Sequence, residues 1–248
     1  MISFSDKVLL VTGGGTGIGR ATCLLFAQNG ADVVVNYSRS KEEAESVVAE
    51  IEKLGRRAVA ICADISDESA VQSMFADTKS QFGRLDFLVN NAATTEMVPA
   101  RQLDDLTDDI WNKILNVNVK GTFYCCRAGV PLLRDSGGGL IVNVSSISAI
   151  TGLGSSIAYS ASKAAISNMT MAMARAEGPD IRVNAVAPGV VMTRWVEGWE
   201  TFIAPHREQT PLGRLAEPED VANVIYGLAV SDFVTGHTVV VDGGRMLN

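Results

Sequence analysis

Seven short apolar runs, separated by stretches of helical periodicity, constrain the fold of this chain more than any other feature. Each run is rich in Val, Ile or Leu, and we predict strands at residues 7–12, 32–36, 57–62, 86–90, 140–146, 181–187 and 238–242. Continuous apolar runs of this length are typical of strands buried on both faces of a parallel sheet. Since repeated strand–helix units form right-handed crossovers, the sequence predicts an α/β fold with a doubly wound, seven-stranded parallel sheet and helices on both faces.

Helical patterns follow each of the first six strands. We predict helices from the first strand's glycine-rich turn to residue 30, at 41–55, 67–82 and 107–134, from Tyr159 to 177, and from Pro218 onward. Proline suits the first position of a helix, where its missing N–H costs nothing. No linker, repeat or low-complexity segment divides the chain, so residues 1–248 are predicted to form one domain with an irregular insertion at 190–213.

Charge and composition limit the kinds of partner that such a domain can bind. The 248 residues carry a formal net charge of −7, which argues against nucleic acid or an anionic membrane as a partner. No apolar run approaches membrane-spanning length, and residues 1–7 show no signal-peptide pattern, so we expect a cytoplasmic protein. The cysteines lack metal or redox spacing and are predicted to be buried, reduced thiols: Cys23, Cys62, Cys125 and Cys126.

A glycine-rich turn follows the first predicted strand, in the sequence Thr12-Gly-Gly-Gly-Thr-Gly-Ile-Gly19. Gly13, Gly17 and Gly19 have the spacing G-x-x-x-G-x-G, related to the G-x-G-x-x-G of dinucleotide sites. Glycine allows positive φ or close backbone approach, and the N–H groups of the following helix can face a pyrophosphate. We therefore predict a dinucleotide site here; the alternative is a merely tight strand–helix connection.

The end of the second strand indicates which dinucleotide is bound. An acidic residue there would bind the adenosine ribose of NAD and repel a 2′-phosphate. The stretch from Asn36 to Ser40 has no acid, and Asn36, Ser38 and Arg39 can donate to a phosphate. NADP(H) is favoured, and NAD(H) stays open because Arg39 could be an ordinary surface residue.

A candidate acid–base pair follows the fifth strand. Tyr159 and Lys163 are four residues apart, so a helix places them on one face, and a positive charge beside a phenol lowers its pKa. Ser146, thirteen residues before Tyr159, ends the fifth strand, where open α/β sheets place their ligands. The alternatives are that Tyr159 and Lys163 are a solvated pair on an ordinary helix and that Ser145 is the relevant hydroxyl.

These motifs together resemble the short-chain dehydrogenase/reductase family over essentially the whole chain. They are the glycine turn, Asp64, residues 90–93, Asn118, Ser146, Tyr159 with Lys163, and residues 188–193. The resemblance implies a Rossmann fold, a homotetramer and hydride transfer between NAD(P)(H) and a carbonyl or secondary alcohol. It implies that Tyr159 exchanges a proton, that Ser146 binds the reacting oxygen and that Lys163 also binds the nicotinamide ribose. Asn118, in a helix break just after Asn116 and Val117, would hold a water that links Lys163 to solvent as a proton relay.

The resemblance also implies which residues hold the cofactor. Asp64 and Ile65 would frame the adenine, Asn91 to Ala93 would line the groove, and residues 188–193 would hold the nicotinamide carboxamide. The expected cofactor-binding residues are Gly13, Gly15, Thr16, Gly17, Ile18, Gly19, Asn36, Tyr37, Ser38, Arg39, Asp64, Ile65, Asn91, Ala92, Ala93, Tyr159, Lys163, Pro188, Gly189, Val191 and Thr193. Two positions depart from the family pattern: Ala93 replaces the usual glycine, and Thr16 stands where many NADPH-specific members have a basic residue.

The substrate is the least constrained part of the prediction. Trp195, Trp199, Phe202 and His206 lie in the insertion at 190–213, which is expected to be a mobile lid over an apolar site, although aromatic residues that merely pack a helical pair are an alternative. No metal site is expected, because no cluster of carboxylates and histidines accompanies His206, and His237, before the last strand, is expected to be structural.

The nearest broad resemblance is to 3-oxoacyl-(acyl-carrier-protein) reductases and to glucose and ketone dehydrogenases. The resemblance matches Gly137 and Asp180 to the positions where the carrier-protein reductases have basic docking residues, which counts against a carrier-bound substrate. A sugar dehydrogenase is a further alternative, and a cofactor-sensing protein without catalysis is an alternative of another class. The intact Asn118, Ser146, Tyr159 and Lys163 argue against the last of these.

Overall fold

A computed structural model of the chain describes residues 4–196, 198 and 200–247, with residues 200–202 described by their backbone alone. Seven strands form one parallel sheet in the order β3-β2-β1-β4-β5-β6-β7, which confirms the predicted fold class. The strands are β1 (Val8–Val11), β2 (Asp32–Tyr37), β3 (Ala58–Cys62), β4 (Phe87–Asn90), β5 (Gly139–Val144), β6 (Ile181–Pro188) and β7 (Thr238–Val241).

Helices cover both faces of this sheet. They are α1 (Gly17–Gln28), α2 (Lys41–Lys53), α3 (Glu68–Phe82), α4 (Asp108–Leu115), α5 (Thr122–Asp135), α6 (Ser148–Thr151), α7 (Ile157–Glu177), α8 (Glu200–Glu208) and α9 (Pro218–Val230). Side chains of α1, α2 and α9 pack into the core on one face, and those of α3 and α5 pack into the core on the other. Val33 and Val34, neighbours on β2, are fully buried in opposite layers, because successive side chains of a strand point to opposite faces.

The long helix predicted at 107–134 is divided by one turn of π-helix, Asn116–Gly121, between α4 and α5. This turn contains Asn118 and lies where the sequence indicates a helix break. Single π-helical turns inside α-helices are frequent at functional sites.

The prediction that all four cysteines are buried is wrong for Cys62. Cys23, Cys125 and Cys126 are buried, and desolvation raises the pKa of each thiol. Cys62 is exposed because it is the last residue of β3, which is the outermost strand of the sheet. An apolar run does not show which of its strands will lie at an edge. No helix in the part of the chain that the structure describes is long and apolar enough to cross a membrane.

Candidate active site

A cavity of about 450 Å³ opens at the carboxyl ends of the central strands. It lies beside the point where the chain order of the sheet reverses between β1 and β4, which is where doubly wound folds bind ligands. A second cavity of about 290 Å³ adjoins it and shares Gly13 and Arg39 with it. Asn36, Asp64 and Ile65 line the second cavity, and all other predicted site residues except Gly19 and Asn118 line the first.

The glycine turn has the shape that a pyrophosphate site needs. Gly13 and Gly17 have φ values of 63° and 51°, in the left-handed region that favours glycine. A Cβ on Gly19 would lie 2.2 Å from the Gly13 carbonyl oxygen, so only glycine fits there. The N-cap residue Thr16 makes no capping bond with its side chain, which leaves the first N–H groups of α1 available to an anion. These residues therefore fit the phosphates of a dinucleotide cofactor.

The prediction that Asn36 donates to a cofactor phosphate is wrong. Its side chain is buried, and its amide nitrogen donates to the carbonyl oxygens of Ile61 and Ala63 at 3.3 and 3.0 Å. Its amide oxygen accepts from the N–H of Gly13 at 3.3 Å. Asn36 thus ties the glycine turn to the ends of β2 and β3. Of the three predicted phosphate donors, Ser38 and Arg39 remain, and both are exposed at this end of the cavity.

Tyr159 and Lys163 lie one turn apart near the start of α7, whose N-cap Ser156 accepts from the N–H of Tyr159 at 3.2 Å. Lys163 is 3 % exposed, and its ammonium nitrogen donates to the carbonyl oxygen of Val144 at 2.7 Å. The same nitrogen lies 5.7 Å from the centroid of the Tyr159 ring. Burial lowers the pKa of Lys163 to about 8, because desolvation penalises the charged form.

The expected lowering of the Tyr159 pKa is not found. Burial instead raises the pKa of Tyr159 to about 12, and the neighbouring Ser146 hydroxyl opposes that shift. The spacing correctly predicted that Tyr159 and Lys163 lie on one helix face. The ammonium of Lys163, however, points to the end of β5 and not to the phenol hydroxyl. Desolvation therefore decides the protonation of the phenol, which stays protonated at neutral pH.

The two serines after β5 have different partners. The Ser145 hydroxyl donates to the carbonyl oxygen of Lys163 at 3.0 Å and lies 2.8 Å from the Ser167 hydroxyl. Ser146 lies beside the Tyr159 hydroxyl and accepts from the N–H of Ser148 at 3.1 Å. Because β5 ends at Val144, both serines lie beyond the strand, and Ser146 is the one whose hydroxyl neighbours the phenol.

Asn118 joins the loop after β4 to α7. Its amide oxygen accepts from the N–H of Thr94 at 2.8 Å, and its amide nitrogen donates to the Thr94 carbonyl and to the Ser162 hydroxyl, each at 3.0 Å. These bonds hold Thr94, which lines the cavity, at a fixed distance from the helix that carries Tyr159. The role of Asn118 in a proton relay stays a prediction.

The insertion supplies one wall of the cavity. Trp195 is 43 % exposed and packs edge-on against Tyr159, with ring centroids 6.1 Å apart and ring planes at 82°. His206, on α8, also lines the cavity, and burial together with Arg245 lowers its pKa. Trp199 lies outside the described residues, and so does the side chain of Phe202.

Two further groups of residues at the site carry no signal in the sequence. Thr95 and Ser155 share a hydrogen bond between their hydroxyls that joins two loops at the mouth of the cavity. Arg194 bridges to Ser40 and Glu43 across the groove. No local pattern marks these contacts, since each joins segments far apart in the chain.

The chain is similar to known dehydrogenases and reductases over nearly its whole length. The family model described as Enoyl-(Acyl carrier protein) reductase matches residues 13–245. The chain is 39% identical over 250 residues to L-rhamnose 1-dehydrogenase (NAD(P)(+)) of Sphingomonas sp. (strain SKA58), covering 98% of this chain and 97% of that protein. It is 39% identical over 249 residues to a 3-oxoacyl-(acyl-carrier-protein) reductase of Thermotoga maritima, covering 97% and 98%. A short-chain type dehydrogenase/reductase from Mycobacterium ulcerans superposes with a TM-score of 0.93 at 30% identity, covering 100% of this chain and 92% of that one.

Proposed function

This chain belongs to the short-chain dehydrogenase/reductase family, and we propose that Tyr159 exchanges the proton of its reaction while Ser146 and Lys163 position the reacting groups. The chain is an NAD(P)(H)-dependent oxidoreductase that interconverts a carbonyl and a secondary alcohol, similar to 3-oxoacyl reductases. The observation that carries the residue assignment is that one cavity contains both the glycine turn and the phenol of Tyr159.

A bound nicotinamide cofactor supplies or accepts the hydride, and the chain's own residues handle the proton. In the reductive direction the Tyr159 hydroxyl donates to the carbonyl oxygen as negative charge develops there, and the Ser146 hydroxyl stabilises the same oxygen. The buried Lys163 holds the end of β5 against α7 through Val144 and keeps a cationic group near the phenol.

For the cofactor, NADP(H) is the preferred form, with NAD(H) as the weaker alternative. Ser38 and Arg39 are exposed at the end of the cavity that follows β2, and no acidic residue precedes Glu42 there. Arginine presents a fork of donors that matches a phosphate, whereas an acid in this place would repel it. The buried Asn36 supports the turn rather than the phosphate.

For the substrate, a compact neutral ketone or an apolar 3-oxoacyl group fits the cavity. Trp195 and Leu153 supply apolar surface to the cavity that contains Tyr159, and Thr94 and Ser155 add hydroxyl groups to its lining. The segment at 190–213 acts as a lid over this end. A cytoplasmic homotetramer is the proposed assembly, supported by small and apolar residues that α7 leaves exposed, namely Ala161, Ala164, Met171 and Ala172.

A steady-state screen of ketones, 3-oxoacyl thioesters and sugars with NADPH and NADH tests this function. We expect turnover of at least one ketone or 3-oxoacyl thioester, with a higher kcat/KM for NADPH than for NADH. A protein that binds the cofactor and turns over no member of the panel would instead support the cofactor-sensing alternative.

A further inference from the structure

Arg194 links the loop after β6 to the start of α2, on the other side of the cofactor groove. Its guanidinium donates to a carboxylate oxygen of Glu43 at 3.0 Å and to the hydroxyl of Ser40 at 2.7 Å. Ser40 precedes α2 and Glu43 lies in the first turn of that helix, whereas Arg194 follows Thr193 after β6. These contacts join segments about 150 residues apart in sequence.

This bridge lies at the phosphate-binding end of the groove. The position of a Cβ on Gly17 is 3.0 Å from Thr193, so the segment that carries Arg194 passes over the start of α1. A Cβ on Gly15 would lie 3.0 Å from the N–H nitrogen of Ala44, so the glycine turn also touches the first turn of α2. Arg39, Ser40 and Arg194 all line the same cavity. The guanidinium of Arg194 is therefore anchored on the residue next to Arg39.

Because Glu43 is negatively charged, the positive charge of Arg194 affects how well a phosphate can bind nearby. The first turn of α2 carries Glu42 and Glu43, and a carboxylate there opposes a phosphate bound beside Arg39 and Ser40. Arg194 neutralises Glu43 in the structure. Both side chains are about half exposed, at 51% and 47%, and an ion pair this exposed is weak enough to exchange one partner for another anion.

We propose that Arg194 is a second determinant of cofactor choice, which neutralises Glu43 in the free protein and pairs with the 2′-phosphate of NADP(H) in the complex. The proposal rests on the proposed preference for NADP(H) and assigns part of it to a residue outside the strand-two segment. A phosphate dianion attracts the guanidinium more strongly than a single carboxylate does, and its oxygens match the planar donor fork.

Binding of two adenosine ligands without a nicotinamide tests the proposal independently of activity. Titration calorimetry would compare adenosine 2′,5′-bisphosphate with adenosine 5′-monophosphate in wild type, Arg194→Gln, Glu43→Gln and the double variant. We expect Arg194→Gln to weaken binding of the bisphosphate about tenfold and binding of the monophosphate by less than about twofold. Glu43→Gln should tighten binding of the bisphosphate, and the double variant should lose less affinity than Arg194→Gln alone, because an unpaired Glu43 carboxylate no longer repels the phosphate.

Arg207→Gln is the matched control, since Arg207 is exposed on α8, lines neither cavity and undergoes the same loss of charge. Equal losses for the two ligands in Arg194→Gln, or no loss for either, would overturn the proposal. Wild type that binds both ligands equally would overturn the preference for NADP(H) itself, and this proposal with it. If wild type prefers the bisphosphate and only Arg39→Ala removes the preference, the proposed function stands and the role of Arg194 fails.

Discussion

At the scale of single residues, burial decides the protonation of the two ionisable groups at the centre of the site. Their spacing in sequence shows that Tyr159 and Lys163 share a helix face, and it suggests an ammonium that lowers the pKa of the phenol. The structure places Lys163 against the carbonyl of Val144, buries its ammonium and partly buries the phenol, so desolvation shifts each pKa in favour of the neutral form. Desolvation is a property of the packed molecule, and no sequence pattern displays it.

The depressed pKa of Lys163 predicts a specific dependence of stability on pH. That pKa moves from 10.5 to about 8 in the folded protein, so the unfolded chain binds more protons between these values. The stability of wild type relative to Lys163→Met should therefore rise as pH increases from 8 to 10.5, by about 3 kcal/mol across the window. Urea unfolding of both proteins across this range measures the difference, and a constant or falling difference would contradict the assigned shift.

Arg39 carries the prediction on the cofactor. Arg39→Ala should weaken NADPH binding by about 1–3 kcal/mol, toward the lower end because the side chain is exposed, and leave NADH nearly unchanged. Fluorescence titration of both reduced cofactors measures the two losses. If NADPH and NADH lose the same affinity, Arg39 has a structural role and the proposed preference must be withdrawn.

At the scale of elements, the glycine turn shows how much of the structure the local sequence can predict. Glycine spacing correctly predicted a tight turn at the start of α1, and the structure adds that Gly19 must pass the Gly13 carbonyl. The same reasoning assigned Asn36 to the phosphate, although its amide supports the turn from below. A polar residue at a strand end can serve the ligand or the backbone, and only three-dimensional neighbours distinguish these roles.

Gly19→Ala tests that turn. The added methyl group would meet the Gly13 carbonyl oxygen at 2.2 Å and the Asn91 amide nitrogen at 2.7 Å, so the turn must shift. We expect a loss of about 1–3 kcal/mol in the free energy of unfolding, together with weaker binding of both cofactors.

Gly227→Ala, in α9, is the control for this substitution. A Cβ there meets nothing within 4 Å, and alanine in a helix should be neutral or stabilising by up to about 1 kcal/mol. Thermal unfolding and cofactor titration of both variants give the comparison. A Gly19→Ala protein as stable and as tightly binding as Gly227→Ala would show that the close approach is not required.

In other elements too, the sequence pattern predicts the secondary structure, whereas the side-chain contacts depend on tertiary packing. Apolar runs located all seven strands, because a strand buried on both faces must be apolar throughout. The break at Asn118 was foreseen, but not that its side chain would hold Thr94 against α7. The exposure of Cys62 and the bridge of Arg194 depend on which segments become neighbours, and local composition does not encode that.

At the scale of the whole molecule, the positions considered for carrier docking lie far from the cavity. Gly137 and Asp180 precede β5 and β6, at the amino edge of the sheet, whereas Ser146 and Pro188 lie at the carboxyl edge. Arg134 is nearby, but it is paired with Glu177. Together with the net charge of −7, this arrangement offers an acidic carrier little electrostatic attraction in one chain.

Attachment of a 3-oxoacyl chain to acyl carrier protein should therefore bring little advantage. We expect similar kcat/KM values for one chain presented on the carrier and on a short thiol mimic, at low and at high salt. An advantage for the carrier that collapses as salt is added would reveal a basic docking surface, and the reading as a carrier-protein reductase would then be the better one.

The central claim is that Tyr159 exchanges the proton during hydride transfer between NAD(P)(H) and a carbonyl. The most direct measurement compares wild type with Tyr159→Phe on the best substrate of the screen, alongside the affinity of each for NADPH. The account predicts that kcat falls by at least about a hundredfold, the lower end for a general acid, while NADPH affinity changes by no more than a few-fold because the ring stays in place. A Tyr159→Phe enzyme that keeps most of its kcat would contradict the account.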